Sequence, residues 1–107
     1  MLKVRTEAAT GGGTLMIVTG VVDMASADAL AGRLREAVAR PGESALTVDL
    51  AGVSFLDSNG IRVLIEAYRM AEHRNVVLRI RDPRPVVDRV LRVTGVAGLL
   101  GLPAAPP

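Results

Sequence analysis

The sequence predicts an α/β fold, a mixed sheet of about four strands covered by about three to four helices in the order ββαβαβα. Two observations carry this expectation. Short β-branched runs recur along the chain, and from residue 26 onward they alternate with stretches whose apolar residues repeat at helical spacing. The first two runs are separated by a glycine-rich turn alone, so an antiparallel hairpin precedes a series of parallel crossovers.

Residues 2–9 and 14–19 form the hairpin, and Thr10-Gly11-Gly12-Gly13 turns it because glycine accepts positive φ. A phosphate cradle is the other reading of the triplet, but no helical pattern follows it and no GxxxxGK motif occurs. Ser26 is placed as the N-cap of a first helix over about 26–40, with Ala27, Leu30, Ala31, Leu34 and Val38 inward and Arg33, Arg35, Glu36 and Arg40 outward. Pro41-Gly42 stops it, and residues 45–50 follow as an apolar strand with Asp49 near its end. From Ser58, the residues Ile61, Leu64, Ile65, Tyr68 and Ala71 form the stripe of a second helix; His73-Arg74-Asn75 ends it with positive charge and an αL candidate. Residues 76–80 are the next strand. Asp82-Pro83-Arg84-Pro85 opens a third helix with Val86, Val87, Val90 and Leu91 inward and Gly95 as its stop. Residues 96–102 close a single domain over 1–102, and 103–107 read as a Pro/Ala-rich tail.

Composition narrows the function. With 107 residues there is room for one core, and with no Trp, one Phe and one Tyr that core is aliphatic. Cysteine is absent, which excludes disulfides, thiol catalysis and thiolate metal sites and fits a reducing compartment. The N-terminal stretch lacks the apolar core of a signal peptide, and no apolar run approaches the roughly 20 residues of a membrane helix, so a cytoplasmic location with no membrane partner is expected. The pI of 9.9 suggests nucleic acid, yet the net charge is only +2 and the arginines are scattered among eleven acids, which argues against direct nucleic-acid binding.

Counting side chains tests enzyme chemistry. The one histidine, His73, stands fifteen residues beyond Ser58 on the same helix, roughly 22 Å away, so no Ser-His dyad forms. One His and no Cys cannot build an imidazole or thiolate metal site, and no cofactor or enzymatic activity is expected. Asp23 and Asp57 lie just beyond strands, where sites of α/β sheets gather and where solvated loop acids are equally common. Asp57 could be the acceptor of a phosphorylated receiver domain, but no acidic pair follows the first strand and the sole lysine is Lys3. Ser58 begins the second helix, where free N–H groups and the dipole favour added negative charge; alternatively, Ser58 or Asp57 simply caps the helix. Gly60 in the first turn costs roughly 1 kcal/mol of helix propensity, and its small size is expected to leave the Ser58 hydroxyl accessible.

The segment "DLAGVSFLDSNGIRVLIEA", residues 49–67, resembles the signature of anti-sigma factor antagonists, the STAS domain family. Asp49-Leu50 ends a strand, Phe55-Leu56-Asp57-Ser58-Asn59-Gly60 forms the turn, and Gly60-Ile61-Arg62-Val63-Leu64 begins a helix, as in that pattern. "GVVDMASADAL" (20–30) and "RVLRVTGV" (89–96) resemble two further family segments. Val21 departs from a frequent acid, Asn59 from a frequent Ser or Thr, and no aromatic follows Gly95.

The resemblance implies a STAS-like fold and a regulatory binding protein without catalytic residues. Dephosphorylated, such a protein binds an anti-sigma factor and releases its sigma factor; the anti-sigma factor, as a serine kinase, phosphorylates the turn serine, and a protein phosphatase reverses the step. Carried over, Ser58 is the acceptor, and Asp23, Asp57, Ser58, Asn59, Gly60, Ile61 and Arg62 form the partner-binding surface. Ser54 and Thr94 are alternative hydroxyls. A STAS adaptor module without phosphorylation, in a signalling or transport complex, is the other reading.

Overall fold

Seven elements follow one another in the computed structural model, which describes residues 1–104: β1 (Lys3–Ala8), β2 (Thr14–Val22), α1 (Ala27–Val38), β3 (Ala45–Leu56), α2 (Ser58–His73), β4 (Val77–Arg81) and α3 (Pro85–Val93). This is the expected order ββαβαβα. The sheet is ordered β1-β2-β3-β4, with β1 antiparallel to β2 and the remaining neighbours parallel, as a hairpin followed by crossovers requires. Of the tail at 103–107, residues 105–107 lie outside the described residues; the Pro103 carbonyl accepts from Arg92 Nη1 at 2.9 Å.

Alternation along the strands decides which face is covered. Met16 and Val48 pair across β2 and β3, Val48 and Ile80 across β3 and β4, and Leu46 and Leu78 one step earlier; all are buried. Leu30, Leu34 and Val38 of α1 and Ile61, Leu64 and Ala71 of α2 join them in one cluster, to which α3 adds Val87 and Leu91. Each fully buried Leu or Val contributes about 1.5 to 3 kcal/mol of burial. The opposite row carries Arg5, Ile17, Asp49 and Arg81 in register. The outer edge of β4 is covered, since Ile80 N donates to the Leu100 carbonyl at 2.8 Å and Leu100 is fully buried.

β3 is the main departure from expectation. It runs for 12 residues, to Leu56, rather than ending at Leu50. Two register shifts hide the extension from a period-two reading: Ile17 faces Asp49 but Thr19 faces Gly52, and Gly20 faces Val53 but Val21 faces Phe55. The buried residues Leu50, Val53 and Leu56 are therefore three apart instead of two. Asp49 stabilises the first shift. Its Oδ1 accepts from Ala51 N at 2.9 Å, and its Oδ2 accepts from Arg81 Nε and Nη2 at 3.2 and 3.1 Å.

The extension carries β3 level with the end of β2, where Asp57 N donates to the Val22 carbonyl at 3.1 Å. Helix α2 then starts hard against both strand ends. Gly60 makes this possible: a Cβ there would lie 2.6 Å from Leu56 Cγ and 2.9 Å from Val22 Cγ1. Its role is close packing beneath the turn, not clearance around the Ser58 hydroxyl. Among the described residues, no helix is long and apolar enough to cross a membrane.

Two stability predictions follow from these contacts. Asp49→Ala removes the acceptor for Ala51 N and Arg81, and urea unfolding is expected to show a loss of about 1 to 3 kcal/mol; an unchanged midpoint would refute its role at the bulge. Gly60→Ala improves helix propensity by about 1 kcal/mol yet overpacks the junction by about 1 to 3 kcal/mol, so net destabilisation is expected in the same assay.

Candidate functional site

Parallel pairing places the carboxyl ends of β2 and β3 side by side, with Val22 opposite Leu56. The loop leaving β2 and the turn leaving β3 are therefore neighbours at one edge of the sheet. Asp23 opens the first; Asp57-Ser58-Asn59-Gly60 forms the second.

Asp57 is the N-cap of α2. Its backbone is extended (φ −106°, ψ −167°), and Oδ1 accepts from Asn59 N at 2.9 Å and Gly60 N at 3.4 Å. Oδ2 accepts from the Asn59 side-chain amide at 3.4 Å. The cap is thus made by Asp57, not Ser58. Ser58 is the first helical residue and is exposed; among the described residues its hydroxyl makes no hydrogen bond within the fold. The other candidate hydroxyls are engaged: Thr94 Oγ1 donates to Val90 O at 2.7 Å, and Ser54 Oγ approaches Gly20 O at 3.4 Å.

Asp23 organises its own loop. Its Oδ1 accepts from Ala25 N at 3.0 Å and Ser26 N at 3.2 Å, and its carbonyl accepts from Ala27 N at 2.8 Å. Ser26 occupies the expected N-cap position of α1 without capping it. Its hydroxyl instead donates back to the Val21 carbonyl at 2.8 Å and accepts from Asp23 N at 3.0 Å, because the loop folds tightly before the helix begins. Asp23 and Asp57 each commit an oxygen to local backbone, which fixes the two loops independently.

The remaining expected residues divide by direction. Asn59 is half-buried and anchors to Asp57. Gly60 and Ile61, expected in the partner surface, are buried, with Ile61 only 7% exposed; they support the turn from beneath. Arg62 faces solvent and pairs with Glu66 at 2.8 Å. Sequence reasoning missed Met24, 81% exposed in the Asp23 loop, and the exposure of Phe55, 50%, on the strand leading to Ser58. An apolar residue inside a polar loop was the available signal for Met24.

Chemically, the site offers a free hydroxyl at a helix N-terminus, two carboxylates engaged with backbone, and exposed apolar side chains. His73 is the last residue of α2 and Ser58 the first, so no imidazole reaches the hydroxyl. Tyr68, also on α2, donates its hydroxyl to Glu72 at 3.1 Å, which together with desolvation raises the phenol above its ordinary pKa. Among the described residues, no three His, Asp or Glu side chains cluster to hold a metal ion.

Solved structures share this fold. An anti-sigma factor antagonist from Mycobacterium paratuberculosis superposes with a TM-score of 0.80 at 26% identity, covering 98% of this chain and 87% of that one. The anti-sigma factor antagonist SpoIIAA in its unphosphorylated form gives 0.75 at 17% identity over 95% of this chain and 89% of that one. The Bacillus cell fate determinant SpoIIAA in its phosphorylated form gives 0.68 at 18% identity over 96% and 92%. The sequence model described as "Mlab, STAS domain" matches residues 6–101, nearly the whole chain, and the protein belongs to the STAS domain family.

Proposed function

We propose that the chain is an anti-sigma factor antagonist, binding a cognate anti-sigma factor through the surface around Ser58 and switched off when that residue is phosphorylated. The observation that carries the reading is the division of labour at the head of α2: Asp57 makes the cap, and the exposed Ser58 hydroxyl is left for other chemistry. The resemblance of 49–67 to the antagonist signature and the solved structures titled as antagonists support it. That SpoIIAA has been solved in both phosphorylation states supports a switch carried without refolding.

The physical logic is local. Phosphorylation adds about −1.5 to −2 charge near neutral pH, beside the Asp57 carboxylate and in the loop cluster that holds Asp23. A partner covering Met24 and Phe55 must strip water from that surface, and a dianion resists desolvation. Kinase and phosphatase are separate proteins in this scheme, and ATP and Mg²⁺ belong to the kinase.

The direct test is to incubate wild type and Ser58→Ala with the anti-sigma kinase of the source genome and Mg-ATP, then map modification by mass spectrometry. Phosphate at Ser58, absent from the variant, is expected. A kinase that forms a complex yet leaves every hydroxyl unmodified would instead make the domain an unphosphorylated adaptor. In parallel, Ser58→Asp is expected to weaken anti-sigma binding at least about tenfold, about 1.4 kcal/mol, by calorimetry, with the melting temperature nearly unchanged. Undiminished affinity would count against the switch.

A further inference from the structure

We propose that Arg62 is the internal receiver of the Ser58 phosphate: phosphorylation draws its guanidinium away from Glu66, so that one modification both adds a dianion and breaks an ion pair on the partner surface. The inference rests on Ser58 as the acceptor and adds a second half to that switch.

Three residues of α2 carry the argument. Ser58, Arg62 and Glu66 stand at successive i, i+4 positions and share one exposed face of the helix. In the unmodified protein Arg62 Nη1 donates to Glu66 Oε1 at 2.8 Å, with the two side chains 51% and 60% exposed. Such a pair is weakly held, because water competes for both charges. Its order is also the poorer one: a base N-terminal to its acid at i, i+4 interacts less well than an acid N-terminal to its base, since helical side chains lean toward the N-terminus. The same lean favours a partner one turn toward the N-terminus, where Ser58 stands.

A phosphate on Ser58 reverses each disadvantage. It places the acid N-terminal to the arginine, carries up to two charges instead of one, and offers oxygens that match the guanidinium fork. Two of the N–H donors at the helix start, Asn59 N and Gly60 N, already donate to the Asp57 carboxylate. Asp57 adds negative charge next to Ser58 in the chain, and Arg62 is the cation one turn along α2. When Arg62 turns, Glu66 loses its partner, and the face a docking protein meets changes from a neutral ion pair to a surface dominated by acids.

The test uses the full chain with phosphoserine installed at position 58 during translation, so it needs no kinase. Failure of the kinase to modify Ser58 would sink the functional reading alone, whereas this measurement addresses Arg62 alone. Phosphorus NMR titration gives the second ionisation of the phosphate, and nitrogen-resolved NMR follows the Arg62 Nε–H. The Arg62 signal is expected to shift with the same midpoint as the phosphate. Arg62→Gln is expected to raise that midpoint by about 0.3 pH unit or more, and Arg62→Lys to restore part of the difference. An Arg62 Nε–H that ignores the phosphate titration, or a midpoint unmoved in Arg62→Gln, would overturn the proposal. Both side chains are exposed, so the variants are expected to fold, and their unmodified forms provide the control.

Discussion

The end of the β2–β3 pair is the constraint on which the rest depends. One backbone hydrogen bond, Asp57 N to Val22 O, closes the parallel ladder just as both strands stop. Everything functional hangs from that line: the Asp23 loop leaves one strand, the Ser58 turn leaves the other, and α2 starts against both. The junction tolerates no side chain at position 60, because Val22 and Leu56 already fill the space a Cβ would need. Tight packing there means the first turn of α2 has little freedom to swing.

Rigidity at the helix start bears on why capping and the proposed modification fall to adjacent residues. A carboxylate one position before the helix reaches the N–H groups of Asn59 and Gly60, an arrangement worth about 1 kcal/mol to the helix. The next side chain, Ser58, then has helical backbone and points outward. Had Ser58 been the cap, a phosphate would remove the acceptor that holds the helix start. With Asp57 in that role, charge can be added at Ser58 while the cap persists. The separation lets a surface change polarity without a change of fold.

Much of this was legible in the sequence, and the exceptions share a cause. Element order, the sheet's mixed character and the start of α2 at Ser58 follow from periodicity and glycine placement, which are properties of local sequence. The length of β3 was not legible, because its bulges break the two-residue alternation on which strand reading relies. Asp49 could be seen as a strand-end acid but not as the acceptor for Ala51 and Arg81, a contact spanning 32 residues. Ser26 looked like a cap because the residue type and position fit; the tight Asp23 turn, a tertiary circumstance of the strand end, redirected its hydroxyl. Gly60 was read by its propensity cost and as clearance for the Ser58 hydroxyl, while its reason lies in two side chains from different strands.

The exposed apolar residues at this edge bear on why charge would be an effective regulator under the proposed switch. Met24 and Phe55 sit on the two elements that frame Ser58 and are left in water by the fold. Covering them provides favourable burial, roughly 25 cal/mol per Å² of apolar area, but only if the intervening polar turn is desolvated in the same step. An unmodified serine costs little to dehydrate, whereas a phosphoserine costs far more unless the partner supplies compensating charge. In the proposed complex, a partner that covers both the apolar side chains and Ser58 couples apolar attraction to the penalty for burying a dianion. A strand-end junction packed as tightly as this one suits such coupling, because the backbone that carries Ser58 is held in place.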